Sequence, residues 1–116
     1  SIVLGERLAP GEPLMSNLGP ALAWQTNHPV VHLALTPADV EACRRRLDFR
    51  HIVLAFRDSR RAWAGWNEIV ETPGAARVMP GLDVLAEKRY RTPDGFTIVW
   101  LELSPLGPAM AANAAR

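Results

Sequence analysis

The chain has 116 residues, 48% of them hydrophobic and 22% charged, with a formal net charge of +1. That length corresponds to one domain with one core, and the composition excludes wholesale disorder or a long coiled coil. The balanced charge argues against nucleic acid as a partner, since that binding draws on a one-sided excess of Lys and Arg set against many phosphates.

Cys43 is the only cysteine, so no internal disulfide supports the fold. No apolar run approaches the roughly 20 residues that span a bilayer. Arg supplies 12 of the 13 basic residues, a bias read mainly as compositional. The sequence starts on Ser rather than Met, which suggests a piece of something longer.

In chain order, residues 1–8 read as a short helix ended by Pro10-Gly11. Leu14 to Ser16 predicts a first, short strand. Asn17 caps a following helix with Pro20 near its first turn, and Leu22 and Trp24 are candidates for burial before the helix stops by Asn27. Residues 30–35 form a nearly continuous apolar run with His32 as its one polar member, the pattern of a strand covered on both faces. Thr36-Pro37-Ala38-Asp39 reads as a helix start: a hydroxyl cap, Pro at the first position and an acid near the positive end of the dipole. In that helix Val40, Cys43 and Leu47 share an inward face, and Arg44, Arg45 and Arg46 mostly point outward.

Residues 51–56, HIVLAF, predict a third strand, running side by side with residues 30–35 in the same direction. A helix follows from about Arg60 to Glu71, with Trp63, Trp66, Ile69 and Val70 on one stripe, and Thr72-Pro73-Gly74 ends it. Residues 84–91 and 96–103 suit two strands joined by Thr92-Pro93-Asp94-Gly95, where Pro presets φ and Gly accepts a positive φ, so an antiparallel hairpin is predicted. Residues 104–116 are rich in Pro and Ala and read as a loose tail.

Alternating strands and helices followed by a hairpin predict a single α/β domain over residues 1–103. Its expected form is a three-layer, Rossmann-like sandwich with a central parallel sheet and a C-terminal antiparallel β-hairpin. Ligands in such sheets favour the crevice beyond the carboxyl ends of the strands. That places candidate ligand-binding residues at Ser16, Asn17, Thr36, Arg57 and Asp58, with Arg60 and Arg61 beside them. The guanidinium groups suit a phosphate, a lipid headgroup or an anionic sugar chain; the alternative is helix-start solvation with Asp58 or Ser59 as the cap.

Other motifs carry less. Asn17-Leu18-Gly19-Pro20 lacks the G-x-G-x-x-G spacing of a phosphate loop, so a capped helix start is favoured and no nucleotide cofactor is expected. His28, His32 and His51 have no Cys, Asp or Glu beside them at ligand spacing, so structural roles are favoured and no metal is expected. Trp63 and Trp66 could stack on a sugar, but their spacing beside Ile69 favours the core. Asp83, Glu87 and Glu102 read as solvated strand positions rather than a glycosidase pair. Ser16, Ser59 and Cys43 lack a nucleophile's context. No catalytic residue is assigned.

Leu14 to Asn17, Leu22-Ala23-Trp24, His28-Pro29-Val30-Val31, and His51-Ile52-Val53-Leu54 with the closing hairpin resemble a known family. It is the soluble C-terminal, extracytoplasmic domain of multi-span membrane glycosyltransferases that use polyprenyl-phosphate sugars, such as the dolichyl-phosphate-mannose protein mannosyltransferases. Many relatives have Thr-Gly-Arg-Pro where this chain has Thr26-Asn27-His28-Pro29. The family's acidic catalytic motif belongs to an early loop between membrane helices and has no counterpart here. The resemblance implies a non-catalytic accessory domain on the periplasmic face of a bacterial membrane, without cofactors. Its implied partners are the membrane-embedded catalytic portion of the same polypeptide and a polyprenyl-phosphate headgroup or glycan acceptor. The residues alone also allow a stand-alone small-ligand or phosphate-binding domain, or an interaction module using the hairpin edge or the face of Arg44 to Arg46.

Overall fold

A computed structural model describes residues 11–18, 29–63 and 65–105. The expected helices over 1–8 and after Asn17, with Leu22, Trp24 and His28, lie outside the described residues, as does most of the tail. Among the described residues five strands form one sheet: β1 (Leu14–Ser16), β2 (Val30–His32), β3 (His51–Phe56), β4 (Val84–Arg91) and β5 (Thr97–Leu103), in the order β2-β1-β3-β5-β4. β1 pairs in parallel with both β2 and β3, whereas β5 pairs antiparallel with β3 and with β4. Two short α-helices are described, α1 (Val40–Arg46) and α2 (Trp66–Glu71), with 3₁₀ turns at Pro37–Asp39, Ser59–Arg61 and Ala75–Val78.

This corrects the expectation of a helix-rich, three-layer Rossmann-like sandwich with a central parallel sheet. Among the described residues the molecule is mostly sheet, mixed in direction, with helices of seven and six residues. The hairpin is the cause on the sheet side. β5 docks on β3 along six paired positions, from His51 opposite Glu102 to Phe56 opposite Thr97, so one whole flank of β3 is antiparallel. The expected neighbours over 30–35 and 51–56 do point the same way, but β1 lies between them. The former is a three-residue edge strand with an exposed His32, not a doubly covered one.

Gly65 shortens the helix expected from Arg60 to Glu71. Its φ is +90°, a conformation that favours glycine, and a Cβ there would lie 2.6 Å from Cδ of Pro37. The chain therefore makes a 3₁₀ turn, passes Gly65 against the Pro37 loop, and begins α2 at Trp66. Trp66, Ile69 and Val70 are buried as expected, while Trp63, on the other side of the break, is 40% exposed.

Strand alternation divides the core. Met15, Ile52, Leu54, Val99, Leu101 and Leu103 face Val40, Phe49, Trp66 and Ile69 on the side carrying α1 and α2. Leu14, Val53 and Trp100, with Val30 and Ile98, cluster on the opposite side. Trp66 donates its indole N–H to the Ala34 carbonyl at 2.7 Å, so the largest buried side chain has no unsatisfied polar atom. The hairpin turn follows its sequence chemistry: Gly95 has φ +94° and its N–H reaches Thr92 O at 3.0 Å, while Thr92 N–H reaches Phe96 O at 2.9 Å.

Two arginines act as internal ties. Arg44, expected to point outward, is 4% exposed and bonds the Asp48 carboxylate at 3.0 Å and Ser104 O at 2.8 Å, fastening α1 to the end of β5. Leu47, expected inward, is exposed instead. Arg89 donates to Ile69 O and Val70 O at the end of α2 and to Glu87 Oε2, a cation serving the carbonyls that a helix leaves open. Glu87 also accepts the Gly74 N–H and is largely buried rather than solvated.

Candidate cleft at the end of the antiparallel strands

Strand register builds the candidate site. Phe56 lies opposite Thr97, and Thr97 opposite Arg91, so these three side chains form a row across β3, β5 and β4 on one face. The end of α2 stands over that row with Val70 and Glu71, and the exit of β3 adds Arg57 and Asp58. Together these seven residues line an open, mostly polar cleft of about 440 Å³. Arg89 fixes the wall, because the carbonyls it holds belong to Ile69 and Val70.

The lining combines two guanidinium groups, two carboxylates, one hydroxyl and the Phe56 ring. Asp58 is already neutralised. Arg60 grips it as a fork, Nε to Oδ1 at 3.0 Å and an NH2 group to Oδ2 at 2.8 Å, and the Arg60 backbone N–H adds a third contact at 3.0 Å. The side-chain bonds first, then the backbone one, hold the Asp58 carboxyl below the ordinary carboxylate range. Arg57 is 64% exposed, lies over the Phe96 ring at 4.8 Å and reaches Asp94 at 3.8 Å. Asp94 is held below the usual range chiefly by the hydroxyl of Thr92, with the Arg57 charge a smaller cause. Arg91 is exposed and has no ion pair among the described residues.

Of the seven residues predicted for the site, Arg57 and Asp58 line this cleft. Arg60 stands behind Asp58, and Arg61, also exposed, closes the 3₁₀ turn through its N–H to Asp58 O at 3.0 Å. The other three are engaged within the chain's own strands and turns. Ser16 is fully buried and its Oγ accepts the Leu18 N–H at 3.0 Å. The Asn17 amide donates to Ala55 O at 2.8 Å and accepts Ala55 N–H at 2.9 Å, so its side chain extends the β1–β3 ladder by one rung. Thr36 donates its N–H and hydroxyl to Asp39, at 3.2 and 2.9 Å.

Phe56, Val70, Glu71, Arg91 and Thr97 complete the lining of this candidate cleft and were not among the predicted residues. The hairpin turn alone sets Arg91 opposite Thr97 and was a usable signal; the docking of β5 on β3, which adds Phe56, leaves no local mark in the sequence.

The remaining candidates have structural partners. His32 Nδ1 meets Leu33 O at 3.0 Å and its ring stacks on Trp63 at 5.6 Å. His51 is buried, accepts the Trp100 indole N–H on Nδ1 at 3.0 Å and places Nε2 3.5 Å from Glu12. Among the described residues no three His, Cys, Asp or Glu side chains converge as a metal site. No described helix is long and apolar enough to cross a membrane.

Compared with models of known protein families, with curated proteins and with solved structures, the chain gives no match.

Proposed function

We propose that this chain is a non-catalytic accessory domain that holds a glycan-bearing ligand in the cleft at the ends of β3, β5 and β4. It serves a membrane glycosyltransferase that takes sugar from a polyprenyl-phosphate donor, and it sits on the extracytoplasmic side. The sequence resemblance supplies the enzyme class. The observation that carries the binding role is the cleft lining, where Arg57 and Arg91 stand as donors and Thr97 can act as donor or acceptor. Vicinal sugar hydroxyls both donate and accept, and a phosphate or carboxylate on the same ligand suits the planar guanidinium fork.

The binding role is tested by calorimetry and thermal shift on the 116-residue chain, with methyl α-mannoside and with glucose 1-phosphate. Binding raises the melting temperature, since ligand at ten times its Kd stabilises by about 1.4 kcal/mol, and Arg91→Ala removes most of the effect. A chain that binds neither compound has no glycan cleft here. The enzyme class is tested separately by the parent reading frame, where several apolar spans of about 20 residues upstream are expected; a complete gene starting near Ser1 contradicts it.

A further inference from the structure

The geometry points to Asp94 as a built-in competitor that holds Arg57 out of the cleft and sets the affinity of the site. This inference rests on the ligand reading of the cleft just given. Arg57 lines the cleft, yet its guanidinium lies over Phe96 and beside Asp94, and neither of those residues is part of the lining. The guanidinium is turned toward the hairpin loop.

The hold is weak by construction. The Arg57–Asp94 separation is 3.8 Å, and the two side chains are 64% and 61% exposed, so the pair is water-screened and of the kind that contributes little on its own. The competitor is tied into the turn. The Thr92 hydroxyl bonds the Asp94 carboxylate and also accepts Phe96 N–H at 2.9 Å, and Gly95 closes the turn onto Thr92 O at 3.0 Å. An exposed arm beside a turn-bound acceptor has two arrangements open to it: Arg57 on the loop, or Arg57 on the ligand. Ligand must displace Asp94 to recruit the arm, and apparent affinity falls by the fraction of molecules in which the arm is free. Asp58 does not compete in the same way, because Arg60 already occupies both its oxygens.

The test is calorimetric titration of glucose 1-phosphate into the wild-type chain, Asp94→Asn, Arg57→Ala and the double variant. Asn keeps an oxygen for the Thr92 hydroxyl, so the turn survives while the charge is lost, and the Gly95 amide resonance checks this. Asp94→Asn tightens binding about twofold to fivefold, the range of an exposed ion pair, and the gain shrinks as salt rises. Arg57→Ala weakens binding, and in that background Asp94→Asn has no effect. A gain that persists without Arg57 reflects general charge removal and overturns the competitor role. So does unchanged or weaker binding in Asp94→Asn, although in both cases the cleft survives as the site because Arg91→Ala still weakens binding about tenfold. If the wild type binds no glucose 1-phosphate, the cleft reading fails and the competitor falls with it.

Discussion

The parallel and antiparallel halves of the sheet treat their terminal side chains differently. Where β1 and β2 end, Ser16, Asn17 and Thr36 are spent on the chain's own backbone and turns. Where β3, β5 and β4 end, Thr97 and Arg91 project into open space beside Arg57, with the end of α2 as a wall. β1 has three residues, so its neighbours soon lose a pairing partner and nearby polar side chains must replace it. β4 and β5 have eight and seven residues and a self-closing turn, so their end needs no such repair. Side chains remain available for a ligand where the backbone has already satisfied itself.

The largest effect that separates the halves from the shared core is expected at Trp66. Trp66→Ala removes the largest fully buried side chain and strands the Ala34 carbonyl, and chemical denaturation should show a loss of about 3–5 kcal/mol. Asn17→Ala comes next, leaving both backbone groups of Ala55 without their partner; a loss of about 1–3 kcal/mol is expected, with cleft affinity unchanged. If Asn17→Ala instead abolishes binding at constant stability, the contrast between the halves is wrong.

Arg91→Ala should behave inversely. Stability stays within about 0.5 kcal/mol, as for a surface change, while glucose 1-phosphate binding weakens about tenfold through loss of a charged hydrogen bond. The smallest effect concerns acid. Asp58 and Asp94 are both held below the 3.8 of an ordinary carboxyl, so their contribution is present above that value and is lost as pH falls through the lower folded values. A melting series should show wild type ahead of the Asp58→Asn, Asp94→Asn double variant by a constant margin above about pH 5, closing below pH 4. A margin that closes near pH 6 would falsify this assignment.

Local chemistry was legible where the signal is local. The residues 51–56 and 84–91 match β3 and β4, and the Pro-Asp-Gly turn forms between β4 and β5. The failures are long-range. Nothing near Gly65 announces that Pro37 lies against it. The heptad-like spacing that put Arg44 outward does not register Asp48 and Ser104, which recruit its guanidinium into the interior. The strand-end rule for parallel sheets selected Ser16, Asn17, Thr36, Arg57 and Asp58, of which the last two line the cleft; Arg91 and Thr97, also in its lining, belong to the antiparallel half, which the rule does not cover.

The most direct test is an amide chemical-shift map of the 116-residue chain titrated with glucose 1-phosphate. The account predicts shifts at Arg57, Glu71, Arg91 and Thr97, and none at Ser16, Asn17 or Thr36. Shifts confined to Ser16, Asn17 and Thr36 would place the site at the parallel end and contradict it.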